Sequence, residues 1–430
     1  MHSQQSGRRR FLKSGAALAG WAVGAVRSVS GQAPAGSEPP AALAGSEASS
    51  RDYGVRSRFE TAGRLTHIQA WVANVGPPVA PALRTPLQDS VGIITPAPLH
   101  YVVDHGSPTP GIDPRQHSLL IHGLVDRPLL FTLDELKRLP SVSRIHFLAC
   151  AGNSYLPLEQ RQNAKTVQET HGWTSCSEWT GVPLSLLLQE VGVQKGGAWI
   201  QAEGAEIRKL ASSIPMAKAL DDVLVAYGQN GEAIRPEQGY PLRLIVPGFE
   251  GIRNVKWLRR IKVVDRPYMM KYEGTIYTNL RPDGTARWFQ LELETNSVIT
   301  FPSGGQRLPG PGFHEITGLA WSGGGAIRRV EVSTDGGRTW KDAQLQAPVL
   351  AKAHTRFRFP WNWDGKEAVL QSRSTNEWGE VQPTKAALER MWGVTPDYWL
   401  TTTNRIQHFN AIQPWKVTSD GRVHNVIWET

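Results

Sequence analysis

Residues 142–153 read Val142-Ser143-Arg144-Ile145-His146-Phe147-Leu148-Ala149-Cys150-Ala151-Gly152-Asn153. Residues 142–148 read as a β-strand, and Cys150-Ala151-Gly152-Asn153 as a turn that follows it directly. A cysteine at the end of a strand can hold its thiolate out of the sheet, where a metal or an electrophile reaches it, and small neighbours leave room for something bulky. A free cysteine is equally often a small apolar filler, and the turn alone does not choose between the two readings. Zinc is excluded on spacing, because the chain has one other cysteine, Cys176, and no paired histidines at ligand distance.

Working outward, Thr132-Leu133-Asp134-Glu135 has the pattern of a capping box opening a short helix that Pro140 stops. Before it, over residues 65–128, prolines recur too often for long helices and predict extended chain with short turns. After Cys150, a short helix is expected over 182–191, strands over 223–227 and 242–246, and a two-residue hairpin turn at Asn230-Gly231. Short helices among scattered strands predict an α+β domain. Strand and helix do not alternate regularly as in a dinucleotide-binding fold, and no G-x-G-x-x-G or G-x-x-x-x-G-K-[ST] occurs. From residue 297 the texture changes. Strand-like runs over 316–321, 328–334, 339–345, 355–359 and 368–374, with turns such as Asp335-Gly336-Gly337, predict a β-sandwich beginning near Thr295.

The chain has 430 residues, 40% of them hydrophobic and 20% charged, which is room for two or three globular domains. Two cysteines exclude a disulfide scaffold, and no apolar run reaches the roughly 18 residues of a membrane span. The net charge of +9 is concentrated at the start: Arg8, Arg9, Arg10, Lys13 and Arg27 stand in the first 35 residues without an acid. The remaining 42 basic and 38 acidic residues leave only +4, so nothing argues for nucleic acid binding. Arg8-Arg9-Arg10-Phe11-Leu12-Lys13, the apolar stretch 16–26 and the small residues around Ala33-Pro34-Ala35 are read as a cleaved export signal over 1–35. Its R-R-x-F-L-K resembles the twin-arginine signal, which exports proteins already folded around a cofactor. Residues 36–63 are expected to be a solvated linker. A periplasmic protein with a large cofactor is therefore expected.

Other residues are more ambiguous alone. The stretch 239–248, continuing through Arg253-Asn254-Val255-Lys256-Trp257, sets cations beside strand ends and glycine turns, where with turn amides they could hold a phosphate or pterin edge or simply be surface charges. His100, His105, His117, His122 and His146 crowd one region without metal spacing, so most should be ordinary hydrogen-bonding residues, with one or two near a site. The 16 tryptophans are expected in cores and interfaces.

Together these segments resemble the sulfite oxidase family of molybdenum enzymes over nearly the whole chain past the export signal. Within it they resemble the molybdenum subunits of bacterial sulfur-oxidising systems. Cys150-Ala151-Gly152-Asn153 is similar to the family's C-A-G-N, and residues 239–257 to its G-[FY]-P-x-R…V-P-G…V-K-W. Trp321-Ser322-Gly323-Gly324-Gly325 with residues 330–340 is similar to the W-S-G-G-G…V-x-V-S-x-D-G-G-x-T-W of its immunoglobulin-like dimerisation domain, and Trp179-Thr180-Gly181-Val182 to a shorter W-x-G-[VA].

The resemblance implies a molybdopterin-binding catalytic domain over 64–295 and an immunoglobulin-like dimerisation domain with a C-terminal tail over 296–430. It implies that Cys150 ligates molybdenum and that Tyr277, with Tyr272 as the fallback, is the active-site tyrosine. Cofactor contacts fall on Tyr101, Asp104, His105, Glu206, Gln238, Arg243, Asn254, Val255 and Lys256, while Cys176 matches no ligand position. One molybdenum-molybdopterin per chain is expected. No C-x-x-C-H haem attachment occurs, so electrons should pass to a separate c-type cytochrome. Two departures bear on substrate: Val103 stands where animal sulfite oxidases carry an arginine, and Ser154 and Tyr155 stand where arginines follow the C-A-G-N. Those arginines help bind sulfite as an anion, so their loss fits sulfane sulfur delivered on a carrier protein. A methionine sulfoxide reductase of the same fold and a cofactor-free binding subunit are the alternatives, the first disfavoured by the C-terminal sandwich.

Overall fold

The computed structural model describes residues 56–57, 59–67, 81–105, 108–154, 165–288, 290–401 and 408–429. The export signal, most of the linker and Tyr155 lie outside the described residues. Residues 1–61 and 62–430 separate into two units, and every sheet among the described residues lies in the second.

The first half of that unit contains two five-stranded sheets. In chain order the strands are β1 (Ser118–Gly123), β2 (Leu129–Thr132), β3 (Val142–Ala149), β4 (Thr174–Pro183), β5 (Trp199–Gly204), β6 (Ala211–Pro215), β7 (Leu224–Gln229), β8 (Glu232–Ala233), β9 (Arg243–Ile245) and β10 (Leu258–Val264). One sheet runs β2-β1-β10-β5-β6 with β1 and β10 parallel; the other runs β8-β7-β4-β3, with β9 added to β7. Between them sits a core of Leu, Ile and Val, into which the helix Leu184–Val191 sends Leu184, Leu187, Leu188 and Val191. That i, i+3, i+4, i+7 spacing is one helix face, and burying it is what stabilises so short a helix. The helix starts two residues later than expected because Val182 and Pro183 extend β4 and pair with Val225 and Leu224. The Thr132–Glu135 capping box and the Asn230-Gly231 hairpin form as the sequence predicts. The proline-rich stretch, expected to be extended chain with short turns, contributes strand β1, which is paired on both sides.

The second half is a sandwich of two sheets. Its strands are β11 (Asn296–Phe301), β12 (Gly312–Trp321), β13 (Ile327–Ser333), β14 (Lys341–Asp342), β15 (Gln344–Leu345), β16 (Thr355–Trp363), β17 (Ala368–Asn376), β18 (Trp415–Val417) and β19 (Val423–Asn425). They are ordered β11-β12-β16-β15 and β14-β13-β17-β18-β19. The single strand expected over 339–345 is two short ones, β14 and β15, in opposite sheets.

Strand β3 joins the halves through its own alternation. Phe147 and Ala149 enter a core with Val298, Leu319, Trp321, Val330, Phe357 and Trp415 of the sandwich. Leu148 and Cys150 face the other way, among Tyr101, Trp173, Trp179, Leu224 and Ile245. A period of two thus fixes on which side of the sheet Cys150 emerges.

Candidate functional site

Cys150 sits where β3 ends. Its amide donates to the Trp173 carbonyl at 2.9 Å, its carbonyl accepts from Asn153 N at 2.9 Å, and Asn153 Oδ1 accepts from Trp173 N at 3.0 Å. The turn is therefore locked to the start of β4. The cysteine lines a cavity together with Tyr101, Asp104, His105, Glu206, Gln238, Arg243, Asn254, Val255, Lys256 and Tyr277. Every residue the resemblance assigned to the site meets in this one cavity. Burial pushes the Cys150 thiol up to about 11, against the Gly152 amide, which favours the thiolate. A metal cation would restore the thiolate, since coordination displaces the proton. Cys176, paired across the sheet with Phe147, is sealed in the core and belongs to no site; both cysteines are free thiols.

The polar wall is a chain of interlocked groups. Gln238 Nε2 donates to Tyr101 O at 2.9 Å, and Arg243 Nη1 donates to Gln238 Oε1 at 2.9 Å and to its carbonyl at 3.0 Å. Asn254 Oδ1 accepts from Val246 N at 2.7 Å, and Lys256 Nζ pairs with Asp104 and donates to Glu237 O at 3.0 Å. Burial draws Arg243 down to about 10 and Lys256 to about 7. Arg243 is a buried cation that makes no ion pair among the described residues, and it calls for anionic charge in the cavity. Glu206, also in the lining, takes the Leu210 amide on one oxygen, while Oε2 has no hydrogen-bond partner among the described residues. Gly251 lets the wall close: a Cβ there would stand 2.8 Å from Tyr101 Oη and 3.0 Å from Ala149 O.

Tyr277 places its hydroxyl 3.5 Å from His105 Nε2, and burial together with the Cys150 and Glu250 charges raises its pKa well above the ordinary value. Tyr272, the fallback, has its ring 4.9 Å from that of His105 but does not line the cavity. Of the clustered histidines only His105 reaches it. His100 stacks behind Tyr101, His117 bonds to Leu258 O and His146 to Lys352 O. No group of three or more metal-ligating side chains occurs among the described residues, so Cys150 is the only cavity residue suited to a soft metal. Val103 lines the cavity, whereas Ser154 turns away toward Asn296, with Nδ2 to Oγ at 3.4 Å.

Sequence reasoning missed Leu210, Ile252 and Trp257 in the lining, and Arg84, which is coupled to Cys150. Arg84 is buried over the Trp173 ring at 4.5 Å, donates to the Glu169 carbonyl and is electrostatically coupled to Cys150; its Nε and Nη2 have no partner among the described residues. No local motif marks an arginine whose partners lie nearly ninety positions away in the chain.

The donor set fits a molybdopterin: a soft thiol for the metal, buried cations for the phosphate end, and an orphaned carboxylate oxygen for a donor edge of the pterin. A fold and site of this kind define a molybdopterin oxidoreductase. Residues 105–272 match the oxidoreductase molybdopterin binding domain family, and residues 287–403 the Mo-co oxidoreductase dimerisation domain. The sulfane dehydrogenase SoxCD from Paracoccus pantotrophus is similar at a TM-score of 0.80 and 39% identity, covering 90% of this chain and 96% of that one. The NADH nitrate reductase of Solanum lycopersicum is 37% identical over 344 residues, which is 68% of this chain and 36% of the relative. NADH nitrate reductase 1 of Arabidopsis thaliana is 37% identical over 309 residues, 63% of this chain and 33% of the relative. The chain thus spans about a third of the length of these curated relatives. It belongs to the sulfite oxidase family.

Proposed function

We propose that this enzyme oxidises sulfur in the periplasm by oxygen-atom transfer, preferring sulfane sulfur held on a carrier protein, and delivers the electrons to a c-type cytochrome. The observation that carries the substrate reading is Val103: the cavity wall presents an isopropyl group where a sulfite-binding guanidinium is expected. The 39% identity to a sulfane dehydrogenase over nearly the whole chain supports it. Each oxygen gained by sulfur comes from water, with release of two protons and two electrons.

Molybdenum-molybdopterin, when bound, supplies the oxygen atom and takes up the electron pair. Cys150 would ligate the metal from the floor of the cavity, Arg243 and Lys256 would hold the phosphate, and Glu206 and Gln238 would take the pterin edge. Tyr277, its hydroxyl 3.5 Å from His105 Nε2, would donate a hydrogen bond to the oxygen that sulfur gains, with His105 orienting it. The Tyr277 phenol keeps its proton throughout, because burial disfavours the phenolate. Val103 brings no charge to its own place in the wall, so a persulfide on a flexible arm meets no guanidinium there.

The test is oxidation of free sulfite against a persulfidated carrier, with cytochrome c as acceptor and molybdenum content equalised. A rate on the carrier at least ten times that on equimolar sulfite is expected; equal or faster sulfite oxidation overturns the substrate reading. Export by the twin-arginine route belongs to the same proposal and rests on Arg8 and Arg9. Replacing both by lysine should strand folded, cofactor-loaded protein in the cytoplasm, and normal periplasmic accumulation of that variant contradicts it.

A further inference from the structure

Behind the Cys150 turn lies a second, small cavity, lined by Cys150, Asn153, Glu294, Asn296, His408 and Asn410 among others. His408 follows the segment matched by the dimerisation family, so it lies outside both matched regions. Its ring is clamped between two carboxylates: Nε2 stands 2.6 Å from Glu250 Oε1 and Nδ1 3.4 Å from Glu294 Oε2. Glu250 is wholly sealed from water, as are Arg253, 3.2 Å from it, and Glu273, which also pairs with Arg253. Glu294 forms an ion pair with a second cation, Arg287, at 3.8 Å, whereas Glu250 feels Arg287 only at longer range. Were the His408 charge removed, two sealed carboxylates would share one arginine. A buried charge left short of a partner is strongly destabilising.

Both ends of this buried chain hold cavity residues. Glu250 opens the turn Gly251–Arg253, and its carbonyl accepts from Asn254 Nδ2 at 3.0 Å, two residues before Lys256. Glu273 accepts from Ser213 N at 2.7 Å and caps the helix Lys271–Thr275, which leads into Tyr277.

We propose that His408 is a positioning residue for the cofactor cavity: as a cation clamped between Glu250 and Glu294, it neutralises the sealed carboxylate behind Cys150 and so holds the wall that carries Asn254, Lys256 and Tyr277. The C-terminal segment thereby completes the site from beneath. Burial opposes the charge, but the two carboxylates hold His408 up to about 9, so it stays an imidazolium at neutral pH.

The test is a double-mutant cycle on the full chain, His408→Gln with Glu250→Gln, read by thermal unfolding and by molybdenum per chain. The proposal rests on the cofactor reading only for the molybdenum measurement. His408→Gln should lower Tm by about 5 °C or more and halve the molybdenum content at least. Adding Glu250→Gln should recover most of both, because no sealed charge then lacks a partner. Should His408→Gln not yield soluble protein, the double variant must. A double variant as impaired as the two singles combined, or a His408→Gln protein indistinguishable from wild type, overturns the proposal. Recovery of Tm with no molybdenum in any variant, wild type included, overturns the cofactor reading and leaves the clamp standing.

Discussion

At the scale of single residues, the site is decided by direction and by charge. Strand alternation sends Cys150 into the cavity, while Cys176 on the neighbouring strand goes into the core. Val103 is the residue that sets the substrate reading apart from sulfite oxidation. Val103→Arg should improve sulfite turnover at low concentration through a charge-assisted contact of roughly 1.5 to 3 kcal/mol, about one to two powers of ten. It should slow oxidation of a carrier-bound persulfide, because a long cation then fills the approach. Steady-state kinetics on one preparation checks both, and unchanged sulfite turnover in fully loaded enzyme removes Val103 from the substrate pocket. The His408 clamp has a pH signature. Its folded-state pKa is raised from 6.5 to about 9 by Glu250 and Glu294, with Arg253, Glu273 and Arg287 completing the charges around the pair. A raised pKa contributes stability that is full below about pH 6.5 and is lost as pH climbs through about 9, here on the order of 3 kcal/mol. Wild-type Tm should therefore fall over that window more than that of the His408→Gln/Glu250→Gln protein, and parallel pH curves contradict it.

At the scale of elements, two glycine motifs distant in sequence explain each other. Gly248, after Val246 and Pro247, and Gly323, within Trp321-Ser322-Gly323-Gly324-Gly325, press backbone to backbone; Gly323 N donates to Leu293 O at 2.9 Å and Leu293 N to Gly248 O at 3.0 Å. A Cβ on Gly323 would stand 2.7 Å from Leu293 O and 2.8 Å from Leu293 N, besides meeting Gly248 O. Gly323→Ala should cost about 1 to 3 kcal/mol by overpacking, measured as a fall of a few degrees in Tm; an unchanged Tm shows the junction to be slack. These glycines, the Cys150 turn and the Thr132 capping box were legible in the sequence because each is a short run whose chemistry is local. Strand β4, the split of 339–345 between two sheets, and the pairing of β1 with β10 were not, because the partners that make them strands are far away in the chain. The site divides the same way. The residues near Cys150, Arg243 and Lys256 lie in recognisable runs, whereas Arg84 and His408 owe their roles to Glu169 and Glu250, and nothing beside either residue in the chain announces that.

At the scale of the whole molecule, the sandwich is part of the catalytic half's core as well as a member of a dimerisation family. Phe147, Ala149, Val167 and Cys176 share one apolar cluster with Val298, Trp321, Phe357 and Trp415. A truncation ending at Thr295 should therefore expose that face, lose its cooperative thermal transition and bind hydrophobic dye. A sharply unfolding truncated protein that binds no dye contradicts the shared core.

The claim on which the functional account turns is that Cys150 holds the molybdenum, and X-ray absorption at the molybdenum edge tests it most directly. Wild-type protein should show one more sulfur neighbour around the metal than Cys150→Ser, or Cys150→Ser should lose the metal altogether, while Cys176→Ser keeps the wild-type shell. A Cys150→Ser protein that binds molybdenum fully with an unchanged sulfur shell would contradict the account.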